Sequence, residues 1–161
     1  KKFLVENTSS SYTRTMKYLA VDYGTKKIGL AVSDDQGSLA VPLEILMNTS
    51  AVKKQLIERI DEHNIDVIVF GESKDQEGNY NAGHDAAQKL ADILGRETGK
   101  EVVFQDERFS SLSAVAHLYE KGNVANPRWS SRTNDEKRSA DDAKAAAIIL
   151  QRYLDKQQNK A

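Results

Sequence analysis

The chain has 161 residues, 29% of them charged and 39% hydrophobic, with a formal net charge of −1 and no cysteine. A chain of this length buries about two-thirds of the surface that its unfolded form exposes, so one domain can hold a core without disulfides or a zinc–thiolate site. The near-neutral balance excludes a protein that coats nucleic acid through bulk positive charge, but it leaves room for a localised nucleic-acid site. The longest apolar runs, residues 67–70 and 145–150, fall far short of the roughly 20 residues that span a bilayer. No basic stretch followed by a long apolar segment opens the chain. The expectation is a soluble, cytoplasmic protein with no membrane partner.

Residues 1–15 are polar and rich in Ser and Thr, and the first methionine is Met16. They read as a non-native or disordered leader ahead of a single domain over residues 16–161. Lys1, Lys2 and Arg14 against Glu6 leave 20 basic and 23 acidic residues in the remainder, a formal charge of −3.

Two β-rich runs, KYLAVDYG from Lys17 and IGLAVSDDQG from Ile28, predict a hairpin. Residues 39–47 form a third strand candidate, in which Pro42 points to an edge position or a bulge. Ser50 is a candidate N-cap for a helix carrying Val52, Leu56, Ile57 and Ile60 up to about His63. Residues 66–71 suit a strand buried on both faces. The polar stretch 72–83 reads as a loop. Ala87, Leu90, Ala91 and Leu94 mark a second helix stopped by Gly99. A short strand at 102–104 precedes DERFSS. Ser110 or Ser111 can cap a third helix with Leu112, Val115, Ala116 and Tyr119, ending near Gly122. Residues 123–139 contain Pro127 and no apolar period, hence a loop. A last helix over about 140–157 presents an alanine-rich face for close packing on a sheet. The order β-β-β-α-β-α-β-α-α predicts a mixed sheet covered by helices.

Acids stand at or beside the ends of apolar elements: Asp22 after LAV, Asp106 and Glu107 after VVFQ, and Asp141 and Asp142 opening the last helix. Singly, each has an ordinary explanation: a turn residue, a paired surface acid, or a first-turn acid favoured by the helix dipole. Jointly, carboxylates converging on one sheet end would need cations, and hard oxygen ligands suit Mg²⁺ or Mn²⁺. Such ions activate water and stabilise the leaving oxygen in phosphodiester cleavage.

The segment Asp22-Tyr-Gly-Thr-Lys-Lys-Ile-Gly-Leu-Ala-Val-Ser-Asp34 resembles the opening motif of the YqgF family, also called RuvX or Holliday junction resolvase-like. The resemblance continues through Pro42-Leu43, Phe70-Gly71, Asp106-Glu107-Arg108-Phe109-Ser110-Ser111, and Asp142 followed by AAAIILQRYL. It implies an α/β, ribonuclease H-like fold: a five-stranded mixed sheet with strands 1–3 antiparallel, flanked by helices. It also implies a metal-dependent endonuclease in 5′-end maturation of pre-16S rRNA. The alternatives are a Holliday junction resolvase acting on branched DNA and a catalytically idle factor that binds RNA or the ribosome. The partner is then structured RNA or a ribosomal precursor particle, or branched DNA, and the protein a monomer or weak homodimer. The acidic triad falls on Asp22, Glu107 and Asp142, as catalytic residues and as ligands of Mg²⁺ or Mn²⁺. Asp106 alternates away from Glu107 and is a supporting residue. Counting back from Ile148-Ile149-Leu150 favours Asp142 over Asp141.

Gly24 and Gly29 suit tight turns and close backbone approach. Lys26, Lys27 and Arg108, next to the acids, and Arg128 and Arg132 in the basic loop are candidate phosphate contacts, with Lys137 and Arg138 beside them. Trp129 can stack on a base or pack on the domain. His63, His84 and His117 show no ligand spacing. Where the family has Gly-Leu-Pro, this chain has Gly71-Glu72-Ser73, and the added acid is expected to make that rim less welcoming to phosphate.

Overall fold

The computed structural model describes residues 15–72, 74, 77–106 and 134–160, with the side chains of the last helix from Ala143 onward. The strands are β1 (Tyr18–Tyr23), β2 (Lys27–Ser33), β3 (Ala40–Met47), β4 (Val67–Glu72) and β5 (Glu101–Asp106). The helices are α1 (Val52–Glu62), α2 (His84–Thr98) and α3 (Asn134–Gln158). The strands form one sheet in the order β3-β2-β1-β4-β5. The pairs β1–β2 and β2–β3 are antiparallel, while β1–β4 and β4–β5 are parallel. This is the mixed sheet expected from the sequence, and Pro42 lies on an edge strand, close to a register shift opposite Leu30 and Ala31. The helix expected over residues 111–122 lies outside the described residues.

Side-chain alternation divides the core in two. Leu19, Val21, Ile28, Leu30, Ile68 and Phe70 pack with Leu56 and Ile60 of α1 and Leu90, Ala91 and Leu94 of α2. Ala20, Ala31, Val67 and Val69 pack with Ala146, Ala147, Leu150 and Leu154 of α3. Alanine facing alanine brings α3 close to the sheet, as its composition predicts.

Three boundaries depart from expectation. Ala51, not Ser50, occupies the α1 N-cap position, and no side chain caps it. The preceding turn is closed by Thr49, whose carbonyl accepts the Val52 N–H (3.0 Å) and whose hydroxyl accepts the Ala51 N–H (3.4 Å). β5 exceeds its three-residue apolar run because β4 supplies a ladder from Val67↔Glu101 to Glu72↔Asp106. α3 starts at Asn134, so residues 134–139 are helical rather than loop. Asp135 and Glu136 in its first turn favour the positive helix end, and Lys137 and Arg138 are good helix formers, so no apolar stripe is needed there. The expected stop of α2 holds: Gly99 adopts φ 67° and donates to the Gly95 carbonyl at 3.0 Å.

The β2–β3 turn is organised by Asp34, whose carboxylate accepts the N–H groups of Ser38 (2.8 Å) and Leu39 (3.1 Å) and the Ser38 hydroxyl (3.1 Å). Burial pushes this carboxyl up, but those donors outweigh it and hold it below its ordinary value of 3.8. The stability it contributes is therefore present above that ordinary value and lost as pH falls through the lower folded one. Asp34→Ala should cost about 1–2 kcal/mol at neutral pH. The gap in melting temperature from the parent should close in strongly acidic buffer. A gap that stays constant across that range would remove the carboxylate from this role.

Among the described residues no helix is long and apolar enough to cross a membrane.

Candidate active site

Asp22 is the next-to-last residue of β1, half-buried, and it shares a sheet face with Ala20, on the side that α3 covers. It pairs across the hairpin with Gly29, which is buried. On its other side the parallel register ends at Val21↔Phe70, and one step further brings Gly71 to the level of Asp22. Gly71 in turn pairs with Gln105. The carboxylate in this row thus stands between two residues without side chains. Gly29 is therefore a mid-strand residue that clears the flank of Asp22, not a turn residue. Gly24 does make the turn: a Cβ there would stand 2.5 Å from the Lys27 carbonyl oxygen.

That turn is clamped by Asn48, a residue the sequence reading passed over. Its side-chain amide donates to the Gly24 carbonyl (2.8 Å), and its backbone N–H donates to the Lys26 carbonyl (2.9 Å). Lys26 and Lys27 are exposed on the clamped hairpin end, a few residues beyond Asp22.

Gln151 of α3 lies level with the opposite end of the sheet. It accepts the Ala40 N–H at 2.9 Å and donates to the Ser38 carbonyl at 3.0 Å. Tyr153 meets Tyr18 with ring centroids 5.6 Å apart. From there, buried Ala147, Ala146 and Ala143 carry the helix across Ala20 and Ala31 toward the Asp22 end. Tyr18 to Asp22 spans about 13 Å of strand. Tyr153 back to Asp142 spans about 16 Å of helix, a length comparable to that strand segment. Position 142 shares a helical stripe with Ala146, Ile149 and Tyr153, all packed on the sheet. Position 141 shares its stripe with Ala145, Ile148 and Arg152, of which Ile148 is buried and the other two half-buried.

Residues 16–156 match the family model described as "RuvX: Holliday junction resolvase". The chain belongs to the RuvX family. A relative from a Geobacillus species is 33% identical over 89% of this chain and 100% of its own length. One from Geobacillus kaustophilus is 36% identical over 87% and 98%. Both bear the name "Putative pre-16S rRNA nuclease". Among solved structures, Thermus thermophilus RuvC aligns with a TM-score of 0.60 at 14% identity, covering 89% of this chain and 97% of its own. The yeast mitochondrial Holliday junction resolvase Ydc2 aligns with a TM-score of 0.53 at 13% identity, covering 90% and 82%. These likenesses establish the resolvase-type, ribonuclease H-like fold for this RuvX chain.

Not every predicted residue is placed. Glu107, Arg108, Arg128, Arg132, Trp129 and His117 lie outside the described residues. Asp106 ends β5 opposite Glu72 and shares the α2-side face with Phe104. Glu72 itself is not a bare acid: Lys74 lies 3.1 Å from it, and both side chains are only 16% exposed. The hydrogen bond to Glu72 holds the Lys74 ammonium above its ordinary range. The rim where the family has Gly-Leu-Pro thus carries a neutralised pair instead of an added negative charge. His63 closes α1 and His84 opens α2, both half-buried.

Proposed function

We propose that this RuvX protein is a metal-dependent endonuclease that cuts structured RNA during 5′-end maturation of pre-16S rRNA, within a ribosomal precursor particle in the cytoplasm. The observation that carries the reading is Asp22 at the end of β1, between Gly29 and the level of Gly71, on the sheet face that α3 covers. The family resemblance supplies Glu107 as the remaining acid; it lies outside the described residues. Asp22, Glu107 and Asp142 would hold Mg²⁺ or Mn²⁺, since three carboxylates form a hard, anionic donor set. When bound, such ions supply water activation and charge stabilisation at the phosphate. The chain's own part is to hold that set on rigid elements, with Lys26 and Lys27 on the clamped hairpin and Arg108, Arg128 and Arg132 meeting flanking phosphates.

The names borne by the relatives support an RNA substrate. So does charge: a domain at −3 outside residues 1–15 makes few phosphate contacts and depends on local shape. Structured RNA offers exposed bases and 2′-hydroxyls to such a site. The second reading, a resolvase of branched DNA, is favoured by the family description and requires a dimer matched to the junction's two-fold symmetry. One assay separates them. A precursor spanning the 16S 5′ end and a synthetic four-way DNA junction are each incubated with Mg²⁺ or Mn²⁺. The RNA should be cut and the junction left intact. Symmetrical nicks in the junction with uncut RNA would reverse the assignment. The same ions at millimolar concentration should raise the melting temperature by binding the folded form alone.

A further inference from the structure

Among the described residues three large apolar side chains are exposed, Met16, Met47 and Tyr80. Tyr80 stacks on His84 with ring centroids 3.7 Å apart, and the Lys74 ammonium lies over its ring. Met16 precedes β1, at the end of the sheet away from Asp22. Met47 is 57% exposed and stands on the face and at the end where Asp22 stands. The register places it there. Asp22 pairs with Gly29 and Gly29 with Ile45, so these three share the α3 face. Two residues further along both strands, on that same face, Lys27 pairs with Met47. Between them Ile28 and Leu46 point the other way, into the core formed with α1 and α2. With strands about 4.8 Å apart and about 3.4 Å per residue, the Met47 backbone lies roughly 12 Å from that of Asp22. The pair is held in place by the next residue, Asn48, which fixes the hairpin end through the Gly24 and Lys26 carbonyls.

An exposed methionine opposite an exposed lysine suits one nucleotide of a strand that runs across this face. The thioether is polarisable and adapts to any aromatic base, and apolar side chains of this kind lodge against bases at unstacked steps. The ammonium answers a phosphate of the same stretch. A protein partner is disfavoured by area: a stable interface takes about 800 Å² on each side. Met47 is one side chain, with exposed Lys26 and Lys27 across from it and exposed Thr49 and Ser50 after it. A stacked duplex shows the edges of its bases and not their faces, so the contact selects an unpaired base. Stacked nucleotides rise about 3.4 Å each and extended ones more, so the span from Asp22 corresponds to no more than about four nucleotides. We propose that Met47, opposite Lys27, meets the face of one unpaired base of the substrate strand, within that distance of the phosphate addressed by Asp22. This rests on the nuclease reading and deepens it by requiring an unpaired base near the cut.

The test uses an RNA fragment spanning the 16S 5′ end. Its cut position is mapped with the parent protein, and its binding is measured by fluorescence anisotropy on the Asp22→Asn protein. Adding Met47→Ser to that background should weaken binding about fivefold, while Met47→Leu should stay within about twofold. Surface changes of this kind barely move stability, so both variants fold. Met16→Ser, which alters the exposed methionine at the far end of the sheet, should bind like the background protein. In a scan of single abasic riboses, one position within about four nucleotides of the cut should weaken the background protein about fivefold and add no loss to Met47→Ser. Pairing that position with a complementary oligonucleotide should remove the dependence on Met47. Equal affinities with and without Met47→Ser would overturn the contact. So would a Met47→Ser loss that is the same at every abasic position, coupling to a base further from the cut, or absence of RNA binding. A parent that binds and does not cut would count against the nuclease reading alone, because the abasic coupling to Met47 is read from binding and stands or falls by itself.

Discussion

Asp22→Asn should abolish cleavage of the preferred substrate, with a loss of roughly 10³ or more, while the protein keeps its fold and its melting temperature. A metal-bound phosphodiester site provides several kcal/mol of transition-state stabilisation, and each 1.4 kcal/mol is about tenfold in rate. Asparagine preserves the shape of the side chain, and Asp22 stands half-buried beside the backbone of Gly29, so the packing of the sheet is kept. In the proposed site, removing one of three converging negative charges would also relieve mutual repulsion, keeping stability level or raising it slightly. The thermal shift on adding Mn²⁺ should shrink in parallel with activity. Cleavage that persists in protein freed of contaminating nucleases would take Asp22 out of the catalytic role. A full Mn²⁺ shift in an inactive variant would place the metal elsewhere.

Those parts of the fold that rest on local pattern were legible in the sequence. The two runs around Asp22 and Ile28 carry their own turn chemistry, and the hairpin follows. Gly99 announces the end of α2 because only a residue tolerant of positive φ closes a helix that way. What depends on distant partners was not legible. β5 reaches Asp106 because β4 lies beside it, and nothing in the local sequence says so. α3 begins six residues before its apolar stripe, on propensity and charge alone. The clearance around Asp22 comes from Gly29 and Gly71, which sit 42 residues apart and meet only through the sheet register. Asn48 and Lys74 gave no periodic or spacing signal. Their roles, clamping the hairpin and neutralising Glu72, exist only after folding. Tyr80 lay in a stretch read as polar loop, and its stack on His84 is the single hint that an i, i+4 spacing could have offered.

Gln151→Leu should cost about 2–4 kcal/mol and lower activity beyond what the lost stability explains. The Gln151 amide is 7% exposed and makes three hydrogen bonds, with the Ala40 N–H, the Ser38 carbonyl and Asp155 Oδ1 at 2.9, 3.0 and 3.0 Å. Leucine fills similar space but takes its partner from the Ala40 N–H at the start of β3 and from the Ser38 carbonyl in the β2–β3 turn, each loss costing about 1–3 kcal/mol where water cannot reach. The alanine face of α3 packs closely yet is smooth there, and the Gln151 amide helps fix the helix along its axis, together with the Tyr18–Tyr153 contact and the hydrogen bond from Lys156 to Gln105. Asp142 lies nine residues, about 13 Å, up the same helix. A slip there moves a carboxylate out of place while the core remains buried. Gln151→Glu separates the two effects. Its carboxylate still accepts from Ala40 but faces the Ser38 carbonyl and Asp155, so its folded pKa is raised above the unfolded value. The stability that the protonated acid contributes is then present below the unfolded value and lost as pH rises through the folded one. Gln151→Glu should accordingly be weaker than the parent at neutral pH and recover as pH falls toward 4, whereas Gln151→Leu should keep its deficit across the same range. At a temperature where both variants are folded, the leucine protein should show a reduced rate at saturating substrate with little change in KM. A parent-like rate at saturation would confine Gln151 to holding the fold and free Asp142 from its influence.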